Sequence, residues 1–277
     1  MHEAETQRAV TAARAIASSL GLSVEDAIVL NNSNKLALRL VPCEVMARVA
    51  PIDEQNAQFE IDLAQHLADV GSPVAALEPR VEPLVYERDG FAVTLWTYYA
   101  TETPVSPAVF AEALEQLHAG MRKLDDPAPR YLDRVEEAQQ LLADRDSTPE
   151  LPDAERELLS TTLRNLKQAI AERHPAEQLL HGEPHPGNIL NTEAGPLFID
   201  LETCCRGPVE FDLAHAPEEV SEHYPDLDQD LLRDCRILML AIIITWRWDK
   251  ADQLPDGRRL AAEWLAQLRT ALAQPHG

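Results

Sequence analysis

The sequence predicts an α+β protein of two lobes, with a small mixed β-sheet in the N-terminal lobe and mainly helices in the C-terminal lobe. Two patterns predict this division. Short apolar runs between turn residues dominate the first part of the chain, whereas apolar residues at helical spacing dominate after Tyr98. At 277 residues the chain has room for one to two domains. We expect them to be residues 1–97 and 98–277.

The N-terminal lobe is predicted to contain two helices and five strands. The first helix covers Glu3–Leu20, where apolar residues recur at helical spacing, and it ends at Gly21. The second covers Pro51–Val70 and ends near Gly71. The strands are apolar runs bounded by turns: Ala27–Leu30, Leu36–Val41, Val45–Ala50, Arg80–Glu87 and Phe91–Trp96.

The C-terminal lobe is predicted to contain five long helices and a group of short strands. The helices follow from apolar spacing: Val109–Leu124, Tyr131–Ala143, Asp153–Arg173, Asp230–Trp248 and Leu260–Leu272. The short strands are Gln178–Leu180, Asn188–Asn191 and Leu197–Leu201, with a turn at Glu193–Pro196 between the last two. The boundary between the lobes is expected within Tyr98–Pro104.

Composition restricts the partners of this protein. The formal net charge of −23 argues against binding to nucleic acid or to anionic membrane surfaces, which both require clustered cations. The longest apolar run, Ile237–Ile244, is too short to span a bilayer. The acidic N-terminus does not resemble a signal peptide, and the four cysteines show no metal-binding spacing. We therefore expect a cytoplasmic protein with reduced thiols; the sequence leaves its oligomeric state open.

The most informative segment is the polar stretch His181–Asn188, which is followed by Asp200 within an apolar run. It contains Glu183 five residues before Asn188, and Asp200 follows twelve residues later. Phosphoryl transfer needs this set of groups, because one carboxylate faces the attacking hydroxyl while an amide and a second carboxylate hold Mg²⁺ against the nucleotide phosphates. The pattern therefore predicts a phosphotransferase site.

These residues resemble the H-G-D-x-x-x-x-N and I-D motifs of the aminoglycoside phosphotransferase family. Gly207–Ala214 is similar to the G-P-x-x-x-D-L-A motif of that family, in which the Asp braces the catalytic loop. The resemblance implies a bilobal protein-kinase-like fold and transfer of the γ-phosphoryl group of ATP or GTP to a hydroxyl of a small molecule. It also implies that Asn188 and Asp200 bind Mg²⁺. The acceptor, which could be aminoglycoside-like, a sugar or an amino alcohol, is left open.

The chain departs from the family motif at Glu183, which stands where the family has Asp. Glutamate is one methylene longer, and a misplacement of about 1 Å can cost about 100-fold in rate. Three outcomes stay open: a loop adjusted to glutamate, a slow enzyme, or a non-catalytic nucleotide-binding regulatory protein. If the protein is an active enzyme, Glu183 is the expected base and Asp200 is the expected metal-binding catalytic residue.

The resemblance places nucleotide-binding residues in the N-terminal lobe. Arg48 occupies the place of the lysine that holds the α- and β-phosphates, and Glu60 on the following helix is its expected partner. Glu202 either supports a second metal position beside Asp200, on the same face of a strand, or points to solvent.

The loop that covers the nucleotide and the adenine site have the least specific sequence signals. Ser33 and Asn34, within Asn31–Lys35, either bind phosphate or form an ordinary hairpin turn. Trp96 and Tyr98 either contact adenine or belong to the core.

Overall fold

The structure, a computed structural model, describes residues 1–33, 35–52, 56–101 and 103–274. It is an α+β protein with an antiparallel sheet in its N-terminal part and helices in its C-terminal part, as the sequence predicts. The chain forms two compact units. The first unit comprises residues 1–105, 119–126 and 187–202, and the second comprises residues 106–118, 127–186 and 203–277. The segment 187–202 therefore packs with the N-terminal sheet.

The first unit is built on a five-stranded sheet and two helices. The helices are α1 (Glu3–Ser19) and α2 (Ala57–Asp69). The strands are β1 (Val24–Asn32), β2 (Leu36–Pro42), β3 (Val45–Pro51), β4 (Tyr86–Arg88) and β5 (Phe91–Thr97). Their order is β1-β2-β3-β5-β4, and every pairing described in this sheet is antiparallel, so the sheet is not mixed.

Alternation along β2 and β3 separates the core from the site. Val45, Ala47 and Val49 of β3 are fully buried in the hydrophobic cluster that the sheet forms with α1. Met46 and Arg48 are less buried and point to the opposite face of the sheet, because successive strand residues alternate. The side of the sheet on which Arg48 lies is thus fixed by the packing of the apolar face of β3.

Two predicted elements of this unit begin well before the observed ones, and β1 is longer than predicted at both ends. The strand predicted at Arg80–Glu87 pairs only over Tyr86–Arg88, because Pro83 has no N–H to donate and the chain before it runs irregularly. The helix predicted from Pro51 begins at Ala57, because Pro51 still pairs with Phe91 in the sheet.

The segment 187–202 adds a short hairpin to the first unit. Its strands are β7 (Ile189–Thr192) and β8 (Gly195–Phe198), which pair antiparallel. Phe198 N donates to Pro73 O at 2.8 Å, and Ala75 N donates to Phe198 O at 2.9 Å. The predicted strand Leu197–Leu201 ends at Phe198, because the backbone turns into a left-handed conformation at Asp200 (φ 66°).

The second unit is a helical bundle with one small sheet. Its helices are α3 (Pro107–Met121), α4 (Tyr131–Ala143), α5 (Asp153–Glu172), α6 (Val209–His215), α7 (Gln229–Arg247) and α8 (Gly257–Ala273). Strands β6 (Gln178–Leu180) and β9 (Cys205–Gly207) pair antiparallel. Apolar faces of α4, α5, α7 and α8 share one core. No helix among the described residues has the length and apolar character needed to cross a membrane.

Candidate active site

The first unit contains a cavity of about 380 Å³ that collects most of the predicted nucleotide-binding residues. Arg48, Glu60, Asn188 and Asp200 line it together. They come from β3, from α2 and from the segment 187–202. Its wall is otherwise largely apolar and includes Leu30, Ala37, Met46, Ala75, Trp96, Leu190 and Phe198. The cavity thus combines an apolar surface with a small group of charged side chains, which is typical of a small-molecule site.

Arg48 bridges two carboxylates in this cavity. Its Nη1 donates to Glu60 Oε1, and its Nη2 donates to Asp200 Oδ1 at 2.6 Å. Burial by itself lowers the pKa of Arg48, but the carboxylates of Glu60 and Asp200 outweigh burial and hold that pKa above its ordinary value. The guanidinium is therefore a permanent cation held in one orientation.

Glu60 is buried on the apolar face of α2. It is 1% exposed and shares that face with Ile61, Leu63, Ala64 and Leu67. Burial raises its pKa, and the cations of Arg48 and Lys35 oppose that effect. Its Oε1 also accepts from Leu201 N at 3.2 Å, so Glu60 fixes the backbone directly after Asp200.

Three carboxylates in this unit are placed where they could hold a metal ion. Glu60, Asp200 and Glu202 each offer an oxygen, and these oxygens lie within 4.8 Å of one another. Lys35 contacts Glu202 and lies 4.0 Å from Glu60 Oε2. Glu202 is in a 3₁₀ turn over Leu201–Thr203, so the expectation that it shares a strand face with Asp200 is wrong, although the two carboxylates do approach each other.

Asn188 lies at the start of the hairpin. It is 7% exposed and ends a short 3₁₀ turn over Pro186–Asn188, so the predicted strand begins one residue later, at Ile189. Its carbonyl accepts from Ile199 N at 3.0 Å, which ties Asn188 to the residue before Asp200. The two predicted metal ligands are thereby held by one hairpin.

The remaining predicted nucleotide-binding residues are placed less uniformly. Ser33 is exposed and lines the cavity, whereas Asn34 lies outside the described residues. Trp96 is 4% exposed and donates from Nε1 to Thr94 Oγ1 at 2.8 Å, so it belongs to the buried sheet while also lining the cavity. Tyr98 lines the cavity beneath the guanidinium of Arg39, 4.3 Å from its ring centroid.

In the second unit, Asp212 braces the loop that contains Glu183. Asp212 Oδ2 accepts from His181 N at 2.9 Å, and Oδ1 accepts from Gly182 N at 2.7 Å. His118 Nε2 lies 2.9 Å from Asp212 Oδ2, and His118 Nδ1 lies 2.7 Å from Tyr224 Oη. Burial raises the pKa of Asp212, but the hydrogen bond and charge of His118 outweigh this and hold that pKa below its usual range.

Glu183 follows Gly182, whose backbone requires glycine. Gly182 has φ +88°, and a Cβ there would meet Thr203 O at 2.0 Å. Arg134 of α4 reaches the same point: its Nη1 lies 3.0 Å from Gly182 O and 3.4 Å from Glu183 Oε1, and its Nη2 donates to Thr203 O. The Glu183 side chain is partly exposed.

Sequence reasoning did not assign a role in this loop to His118, Tyr224 or Arg134. His118 had a weak signal, because a histidine on the apolar face of a helix needs a polar partner. The contacts of Arg134 join residues 48 to 69 positions apart and have no local signature. Sequence reasoning named Lys35 as the last residue of the loop Asn31–Lys35, and its side chain lines the same cavity.

Comparison with known proteins gives a family and a fold. The model of the phosphotransferase enzyme family matches residues 32–236. A search of curated proteins found no match. Among solved structures, a choline/ethanolamine kinase family protein from Mesorhizobium loti is 17% identical, with a TM-score of 0.74 and with 98% of this chain and 95% of that chain covered.

Two further solved structures have the same fold. The microcompartment-associated aminopropanol kinase is 14% identical, with a TM-score of 0.73, covering 93% of this chain and 95% of that chain. An amicoumacin kinase in complex with AMP-PNP, Ca²⁺ and Ami is 14% identical, with a TM-score of 0.72, covering 97% of this chain and 96% of that chain. At these identities the likeness is one of fold.

Proposed function

The chain belongs to the phosphotransferase enzyme family, and from that premise we propose that it transfers the γ-phosphoryl group of ATP or GTP to a hydroxyl of a small molecule. The observation that carries the proposal is the cavity of the first unit. There Arg48 is held between Glu60 and Asp200, and Asn188 lines the same space. A fixed guanidinium beside oxygen ligands suits a nucleotide phosphate chain and its metal ion.

The residues fit Mg²⁺ by their chemistry. Mg²⁺ prefers oxygen ligands and retains several waters, so one or two protein carboxylates with phosphate oxygens suffice. Asp200 supplies a carboxylate next to those of Glu60 and Glu202, and we assign Asn188 as the second ligand. When bound, the ion would neutralise charge on the phosphates. Arg48 would bind the α- and β-phosphates, and the apolar wall near Trp96 and Tyr98 would accept the base.

Glu183 would orient the acceptor hydroxyl and receive its proton. Asp212 accepts hydrogen bonds from two backbone amides of the Glu183 loop, which fixes the backbone next to Glu183. A positioned acid–base group contributes about 10²–10⁴-fold to rate. Because the fold fixes the backbone of this loop, we favour a working enzyme with glutamate in this role over the non-catalytic nucleotide-binding protein.

We propose an acceptor that carries a cationic nitrogen as well as a hydroxyl. The chain has a formal net charge of −23, which favours cationic ligands electrostatically. Three structures with this fold are a choline/ethanolamine kinase family protein, an aminopropanol kinase and an amicoumacin kinase. Sugars remain in the test set. We also propose a cytoplasmic location, which suits four cysteines that form no disulfide.

The test has two stages. First, ATP or GTP with Mg²⁺ should raise the melting temperature, since a ligand that binds only the native state stabilises it. Asp200→Asn should remove the Mg²⁺-dependent part of that shift, and an unchanged shift would contradict the metal assignment.

Second, ADP release is measured with choline, ethanolamine, aminopropanol, aminoglycosides and sugars as acceptors. Acceptor-dependent ADP release, with a phosphorylated product detected by mass spectrometry, supports the enzyme. Nucleotide binding without turnover on a broad acceptor panel would favour the non-catalytic alternative.

A further inference from the structure

Arg134 contacts the Glu183 loop through both terminal nitrogens of its guanidinium group. It donates to the carbonyls of Gly182 and Thr203 and to the Glu183 carboxylate. Its side chain is 14% exposed, and the guanidinium lies 5.9 Å from the centroid of the Phe211 ring. A planar fork held by two carbonyls and an aromatic ring has little freedom to move. Its orientation toward Glu183 is therefore set by the fold and not by the carboxylate alone.

The backbone below Glu183 is already fixed. Asp212 accepts from the amides of His181 and Gly182, and Gly182 packs so closely on Thr203 O that a Cβ is excluded. The freedom that remains belongs to the Glu183 side chain, which has one more rotatable bond than aspartate. A long side chain loses rotamer entropy when it is ordered. A cation within reach of one carboxylate oxygen limits this freedom.

We propose that Arg134 is a positioning residue that acts through Glu183, holding the longer carboxylate so that glutamate can do the work that aspartate does in the family motif. The inference rests on the proposed function, because it concerns the orientation of the acceptor hydroxyl. It predicts a functional pair, Arg134 with Glu183. A purely structural Arg134, which only ties α4 to the carbonyls of Gly182 and Thr203, would act independently of the side chain at position 183.

A kinetic double-mutant cycle separates the two roles. The variants are Arg134→Gln, Glu183→Gln and the double variant, assayed with Mg²⁺-ATP and the best acceptor of the panel named above. Arg134→Gln should lower kcat by about 10- to 100-fold, as expected for a misplaced reacting group, with the KM for ATP changed less than about twofold. In the Glu183→Gln background the same change should cost less than about threefold, because residues that act as a unit are not additive.

A conservative variant and a matched control complete the kinetic set. Arg134→Lys retains the charge and should recover part of kcat, although lysine lacks the planar fork. Arg130→Gln, at the start of the same helix, removes an exposed ion pair with Glu177 and should leave kcat unchanged. An Arg134→Gln loss of the same factor in both backgrounds would overturn the proposal and assign Arg134 to loop structure.

A second cycle does not depend on turnover. Urea unfolding of the same four proteins gives the coupling between the two side chains, and we expect about a fivefold effect or more on the unfolding constant. Absence of coupling in unfolding would refute the pair, as additive losses in kcat would.

Failure of this inference is distinguishable from failure of the proposed function. Absence of turnover by the wild-type protein on every acceptor refutes the enzyme and, with it, the positioning role. Turnover with additive losses refutes the positioning role alone.

Discussion

Replacing Arg48 with methionine should destabilise the protein substantially, although Arg48 lines a cavity. Methionine preserves the length and apolar stem of the side chain but removes the guanidinium that bridges Glu60 and Asp200. The two carboxylates differ in exposure, with side chains 2% and 31% exposed. The main cost therefore comes from Glu60, which keeps a buried charge with less compensation.

The magnitude follows from this burial. Removing one partner of a buried ion pair costs about 3–5 kcal/mol, whereas an exposed pair is worth about 0–1 kcal/mol. Lys35 Nζ, 4.0 Å from Glu60 Oε2, retains part of the compensation, so we expect the lower end, about 3 kcal/mol. For a chain of this size each kcal/mol shifts the melting temperature by roughly 2–4 °C, which gives a loss of about 6–12 °C.

Differential scanning calorimetry of three variants tests this reasoning. Arg48→Met should show the loss. Arg48→Met with Glu60→Gln should recover part of it, because an amide carries no charge that needs compensation. Arg88→Met removes an exposed ion pair on the same sheet and should melt close to the wild type. The reasoning is refuted if Arg48→Met melts with the control, or if adding Glu60→Gln brings no recovery.

Three further outcomes test the second unit. Glu183→Ala should lower kcat by about 10²–10⁴-fold, and Glu183→Asp should also lower it because the arm is shorter; a faster Asp variant in initial-rate assays would contradict a loop adjusted to glutamate. The depressed pKa of Asp212 contributes stability that is lost as pH falls through its folded pKa, so Asp212→Asn should unfold at lower urea near neutral pH and differ less in acid; a constant difference would contradict this. Burial lowers the pKa of His215 from 6.5 to about 3, so the wild type loses stability as the pH falls from 6.5 to 3. His215→Phe should flatten that part of a profile of urea midpoint against pH, and an unchanged slope would contradict this prediction.

Sequence reasoning performed best where local pattern and tertiary structure agree. The predicted bounds of α4, Tyr131–Ala143, are those of the structure, since its apolar spacing continues to both ends. Arg48 lies on β3 and Glu60 lies on α2, which is the next element in the chain. Their pairing was therefore predictable from a strand followed by a helix. The two predicted strands and the turn between them also placed Asn188 and Asp200 at the two ends of one hairpin; in the structure Asn188 directly precedes its first strand and Asp200 follows its second strand by two residues.

It performed worst where distant backbone decides a local conformation. The apolar run Leu197–Leu201 predicts a continuous strand, yet the pairing ends at Phe198 and Asp200 adopts a left-handed conformation. Aspartate tolerates this conformation better than most residues, but the five residues alone do not select it. The contact of Leu201 N with Glu60, 141 positions away, contributes to it. The strand predicted at Arg80–Glu87 was too long because the prediction did not account for Pro83, which has no N–H to donate to a neighbouring strand.

The placement of residues 187–202 in the first unit has a consequence for synthesis of the chain. The Arg48–Asp200 contact spans 152 positions, and the second unit contributes residues 106–118 and 127–186 in between. The whole N-terminal sheet therefore leaves the ribosome long before the hairpin that packs with it, and Glu60 emerges before its partner Leu201 is made. We expect a fragment of residues 1–105 to be digested by protease faster than the same residues in the full chain. Equal rates of digestion would show that the N-terminal sheet folds fully without the hairpin.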